Sequence, residues 1–132
     1  MLYRKGYKYQ IAEDYTIPTE ILNEHIVSGF IILEPTGLLH ILRGYAWDGP
    51  SGPTLDTKTF MRGSLVHDVL YQLMREERLK KEIKIYADDL LKEICLEDGM
   101  CSFRAWYVHR GVTRCAGFAA DPKNKKKVYE AP

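Results

Sequence analysis

The chain has 132 residues, 45% of them hydrophobic and 28% charged, with a formal charge of +1 at pH 7. That length fits one domain able to bury a core without staples, and the near-neutral balance favours neither nucleic acid nor an anionic membrane. No apolar run approaches the roughly 20 residues needed to span a bilayer, and "MLYRKGYKYQ" lacks the apolar stretch of a signal peptide, so an intracellular setting is expected.

The first half reads as β. "YKYQIA" alternates Tyr7, Tyr9 and Ile11 against Lys8 and Gln10, the period of a half-buried strand. "DYTIPTEILNEHIVS" follows, where Pro18 and scattered polar residues predict an irregular link with room for a short strand or turn. "GFIILEP" and "LLHILRGYAW" are apolar runs separated by Pro35-Thr36-Gly37, a hairpin signal. Three to four antiparallel strands are expected.

"WDGPSGPTLD" then turns strand into helix, a task glycine and proline perform without binding anything. It lacks the lysine and hydroxyl spacing of a phosphate loop. The second half reads as α. Over residues 57–79, Met61, Leu65, Val66, Val69, Leu70 and Leu73 recur at helical spacing, with Thr57 or Thr59 as the cap. A charged break, "REERLKKE", precedes a second helix over 83–96, with its face on Ile83, Ala87, Leu90, Leu91 and Ile94. Gly99 is its stop. A third helix runs from a Ser102 cap to about residue 119 and places Trp106 and Tyr107 in a core or groove. The sum is an α+β protein with one domain over 1–120 and a basic polar tail over 121–132.

Cys95, Cys101 and Cys115 are odd in number and lack Cys-x-x-Cys spacing, which predicts reduced thiols packed in a core. His25 and His109 stand apart from other ligand types and read as surface histidines. The order His67-Asp68-x-x-Tyr71 in the first helix is different. Residues i and i+4 share a face, so His67 and Tyr71 project together, with Phe60, Ser64 and Met74. Asp68 points about 100° away on ideal helix geometry. Orienting the imidazole therefore needs a third group. Asp88 borders the apolar face of the second helix through Ile85, Leu91 and Cys95, whereas Asp89 lies nearer Lys92 and Glu93. A carboxylate buried there needs donors, which His67 and Tyr71 can supply.

"WDGPSGPTLD", "VHDVLY" and "YADDLL", in that order, resemble the calcium loop, His-Asp-x-x-Tyr helix and following aspartate of phospholipase A₂ enzymes, most of all the disulfide-free domains of parvovirus capsids. Over most of its length the chain also resembles a family of small phage and prophage proteins of unassigned function. The phospholipase resemblance covers about residues 45–95. It implies His67 as general base, Asp88 as the carboxylate holding the imidazole tautomer, and Tyr71 as the phenol holding that carboxylate. It further implies Asp68 as ligand of a calcium ion, completed by backbone carbonyls around Trp47, Gly49 and Gly52, acting on a phospholipid or other ester. Asp48 adds a carboxylate to the loop, suited to a metal or to pairing with Arg62. A hard cation favours such oxygen donors and stabilises developing oxyanion charge.

Two other readings stay open. In a non-enzymatic phage protein, a virion component or a binder of a host factor, His67, Tyr71 and Asp88 would only tie two helices together. An HD-type phosphohydrolase would need a further histidine from an earlier helix. His40, the one well-spaced candidate, falls in a predicted strand.

Overall fold

A computed structural model describes residues 3–4, 9–47 and 58–120, with side chains over 9–47 and 58–113. Seven strands and three helices lie among them: β1 (Tyr3–Arg4), β2 (Tyr9–Ile11), β3 (Tyr15–Pro18), β4 (Ile26–Ser28), β5 (Ile31–Leu33), β6 (Leu38–Ile41), β7 (Ala46–Trp47), α1 (Lys58–Arg75), α2 (Ile83–Glu97) and α3 (Ser102–Ala120). The strands belong to one compact unit and the helices to another. The α+β layout predicted from sequence is present, with more and shorter strands than the three or four expected. The stretch 14–28, expected to be an irregular link with at most a short strand or turn, contributes both β3 and β4.

In the strand unit a four-stranded antiparallel sheet runs β3-β6-β5-β4, beside a three-stranded sheet β1-β2-β7. The hairpin at Pro35-Thr36-Gly37 sets the register of the larger sheet. Gly37 N–H donates to Glu34 O at 2.9 Å and Glu34 N–H to Leu38 O at 2.9 Å. Gly37 has φ +94°, the left-handed residue that closes a three-residue hairpin loop. Pairing then aligns Ile17, Leu39, Leu33 and Ile26 across the sheet, all buried. One residue out of phase, Thr16, His40, Ile32 and Val27 form the opposite, more open row. On that row His40 meets Thr16 Oγ1 at 3.1 Å and Glu34 Oε2 at 3.0 Å, partners within its own sheet.

In the helical unit α1 is largely enclosed, with fourteen of its eighteen residues buried, Thr59, Ser64, His67 and Gln72 among them. Its partners on the next helix run in reverse order: Arg62 with Asp98, Gly63 against Cys95 and Leu91, His67 with Asp88. The two helices are therefore antiparallel. Gly63 makes the close approach, because a Cβ there would lie 2.8 Å from Leu91 Cδ1. Phe60, Leu91, Cys95, Met100 and Ala105 pack together, joined by Val108 and Val112, which brings α3 onto this helix pair.

Gly99 stops α2 as expected, in a left-handed turn of φ +98°. Its N–H donates to Leu96 O and that of Met100 to Cys95 O, satisfying carbonyls that a helix end leaves bare. Arg62 clamps the same end, its guanidinium reaching Asp98 at 2.9 Å and Glu97 at 2.8 Å.

Three expectations fail here. Ile85 is 71% exposed, outside the apolar face it was assigned to. Trp106 and Tyr107 are exposed rather than core, because α3 buries its Ala105–Val108–Val112 face instead. Cys101 is exposed, unlike buried Cys95. His109 is a surface histidine as expected, its Nε2 2.7 Å from the exposed Asp89 Oδ1.

Candidate functional site

Asp88 is the centre of the site and has no exposed surface. It sits on the inner face of α2 with Ala87, Leu91, Ile94 and Cys95, so its charge has no water and depends on its neighbours. Three donors meet it. His67 Nε2 lies 2.8 Å from Oδ1, Tyr71 OH donates to Oδ1 at 2.6 Å, and Lys84 Nζ donates to Oδ2 at 2.9 Å. Helical spacing explains the set. His67 and Tyr71 are four apart on α1, and Lys84 and Asp88 are four apart on α2. The His67 and Tyr71 rings stack obliquely with centroids 4.1 Å apart.

The expected trio of His67, Tyr71 and Asp88 is thus assembled. Sequence reasoning missed Lys84. Its signal was the four-residue spacing to Asp88, and its ammonium also reaches Thr113 O on α3 at 3.3 Å. Asp89, passed over in favour of Asp88, is exposed as expected.

Burial opposes the Asp88 charge, but hydrogen bonds from His67, Tyr71 and Lys84 outweigh it and hold the carboxyl below its ordinary value of 3.8. With Asp88 ionised, the hydrogen-bond pattern assigns the imidazole proton to Nε2, where it donates to Oδ1. The Nδ1 lone pair is then turned away from the carboxylate. Asp68 Oδ1 stands 4.0 Å from Nδ1, beyond hydrogen-bond range, and acts on it through charge. Burial disfavours the imidazolium, yet the carboxylates of Asp68 and Asp88 prevail and raise His67 above 6.5. Burial and the adjacent Asp88 carboxylate keep the Tyr71 phenol protonated far above its usual range.

The cation implied by the resemblance would draw on Asp68, a hard oxygen donor with a side chain 40% exposed. Trp47, implied as a carbonyl ligand, is a buried residue of β7 in the strand unit, its ring 5.7 Å from that of Tyr9. Asp48, Gly49 and Gly52 lie outside the described residues, as does the tail over 121–132. Among the described residues no three His, Cys, Asp or Glu side chains converge as a metal-binding group. No helix among them is long and apolar enough to cross a membrane. Comparison of the chain with protein-family models, curated proteins and solved structures gave no match.

Proposed function

We propose that His67 and Asp88 form the general-base pair of an ester hydrolase of the phospholipase A₂ type, in a small phage protein acting in host cytoplasm or carried in the virion. The observation that carries this reading is the orientation of His67. Its Nε2 is bound to a buried carboxylate at 2.8 Å, which leaves Nδ1 as the basic nitrogen. The side of the ring that Nδ1 faces is the side of the half-exposed Asp68.

The chemistry follows from that geometry. Nδ1 accepts a proton from a water molecule as its oxygen attacks the ester carbonyl carbon. Asp88 stabilises the imidazolium that forms, and Tyr71 and Lys84 keep Asp88 in place. The tetrahedral intermediate collapses by breaking the acyl C–O bond, and the imidazolium returns its proton to the departing alkoxide. The products are a fatty acid and an alcohol, the latter a lysophospholipid when the ester is a phospholipid. Asp68 would hold the calcium ion, which when bound supplies positive charge for the developing oxyanion.

The test is release of fatty acid from mixed phospholipid micelles in calcium. Wild-type protein should turn over, and His67→Asn should be folded and inactive. Wild-type protein inert toward phospholipids and simple esters, across divalent cations, would refute the reading.

The Lys84 contact favours one alternative. With Lys84 on Oδ2, the carboxylate is bonded at both oxygens and the network reaches α1, α2 and, through Thr113 O, α3. Such a closed set suits a scaffold in a non-enzymatic virion component or host-factor binder. In that case Asp88 substitutions change stability alone.

A further inference from the structure

Helix α3 carries two apolar faces, and only one is used. Ala105, Val108 and Val112 pack against Phe60, Leu91, Cys95 and Met100. Phe103, Trp106, Tyr107 and Arg110, spaced i, i+3, i+4, i+7, form a separate stripe. Phe103 is 72% exposed, Trp106 46% and Tyr107 68%. Solvated aromatic stripes of this kind mark contact surfaces. The Phe103 and Trp106 rings lie 6.2 Å apart, and the Arg110 guanidinium covers the Trp106 ring at 5.4 Å.

Charge identifies the occupant. Helix α3 contains three arginines and no acidic residue. Residues 102–132 hold seven Lys and Arg against two Asp and Glu, a formal +5, which leaves −4 for the preceding 101 residues of a chain whose total is +1. The near-neutral sum thus conceals a strongly basic C-terminal quarter. A second copy of this surface would be repelled. Nucleic-acid bases need open ring faces to stack on, whereas the Trp106 face is capped by Arg110. Aromatic rings at the level of lipid headgroups, with arginines reaching phosphates, fit both the stripe and its charge.

We propose that the Phe103–Trp106–Tyr107–Arg110 face of α3 docks on the surface of an anionic phospholipid bilayer. The docking is independent of hydrolysis at His67 and requires no spanning segment.

Tryptophan fluorescence of the full chain reports it directly. Trp47 is 3% exposed, so a change in environment on docking is read from Trp106. Vesicles containing phosphatidylglycerol should shift the emission to shorter wavelength, and acyl-brominated lipid should quench it. Pure phosphatidylcholine vesicles should do neither, and added salt should weaken the response. Phe103→Ser with Tyr107→Ser, both in solvent, should leave thermal melting unchanged and weaken partitioning about tenfold or more. His67→Asn should bind as wild type even though the hydrolytic reading requires it to be inactive, so the two ideas fail separately. Absence of any response to anionic vesicles overturns the proposal. So does undiminished binding by the Phe103→Ser/Tyr107→Ser variant, or a response to single-stranded nucleic acid or an acidic peptide in place of lipid.

Discussion

Truncating Asp88 removes the acceptor shared by three donors, and the structure sets the scale of the loss. Asp88→Ala strands the buried His67 N–H and Tyr71 O–H, each costing about 1–3 kcal/mol when left unmet. Lys84 is 21% exposed and can turn to water, so it adds little. The sum is about 2–6 kcal/mol, which brackets the loss of about 3–5 kcal/mol for breaking one side of a buried pair. Asp88→Asn is milder. Its carbonyl can keep His67 and Tyr71, but its NH₂ then faces the Lys84 ammonium, donor against donor, until Lys84 swings away. A cost of about 1–2 kcal/mol is expected. Urea unfolding followed by circular dichroism measures both. The pH dependence has a defined sign. Because folding depresses the Asp88 pKa, its contribution is complete above about pH 3.8 and is lost as pH falls through the lower folded value. Wild type should lose stability below pH 4 more steeply than Asp88→Asn. If Asp88→Ala unfolds within about 0.5 kcal/mol of wild type, an effect no larger than a neutral surface change, then α1 and α2 are not joined through this residue.

His67 should titrate above 6.5 in NMR, and Asp68→Asn should lower the midpoint. The stability it contributes is present below 6.5 and fades as pH rises through the folded value, and a midpoint at or below 6.5 would contradict the placement of the two carboxylates. Gly63→Ala adds helix propensity worth about 1 kcal/mol but meets core Leu91 at 2.8 Å, Cys95 Sγ at 3.0 Å and Leu91 O at 3.3 Å. A net loss of about 1 kcal/mol by chemical denaturation is expected, since an overpacking strain of about 1–3 kcal/mol exceeds the propensity gain; an equal or more stable variant means that the two helices can part at no cost. Gly37→Ala puts a Cβ 2.2 Å from Thr19 O at φ +94°, and about 2–4 kcal/mol should be lost in the same assay, with wild-type stability refuting the tight turn.

What could be read in the sequence was whatever has a long period. The three helices span 15–19 residues each, enough turns for the apolar positions to declare a face. Asp88 was found because it interrupts such a face beside residues that stay buried, and His67 and Tyr71 because they share one. The strands of the larger sheet have only three or four residues, one or two alternations each, so β3 and β4 were lost among polar neighbours. Pro18 counted against a strand, yet β3 lies at the sheet edge and Pro18 is its last residue, where a missing N–H is tolerated. In α3 the sequence offers two apolar faces, and hydrophobicity alone does not say which one packs. The smaller residues won, since Ala105, Val108 and Val112 allow close approach and Trp106 does not. Lys84 was overlooked because it stands in the first turn of α2, next to an exposed, charged break, where a lysine reads as solvated.

Lys84 also separates catalysis from scaffolding. Its ammonium is bonded to Asp88 Oδ2 at 2.9 Å, so its positive charge offsets the carboxylate's pull on the imidazolium. Lys84→Met removes that charge and leaves the buried Oδ2 without its donor. Stability should fall by about 1–3 kcal/mol, the cost of an unmet buried acceptor, under either reading of the site. Under the hydrolytic reading something more follows. Asp88 then bears on His67 without a competing cation, the His67 pKa rises further, and the alkaline rise of kcat/KM moves to higher pH. Thermal melts and pH–rate profiles of wild type and Lys84→Met, recorded side by side, test both statements. A shifted profile assigns Lys84 to tuning the base through Asp88. A lower melting temperature with an unmoved profile means that Lys84 braces the helices and leaves the reacting nitrogen alone, which would contradict the electrostatic coupling argued for the pair.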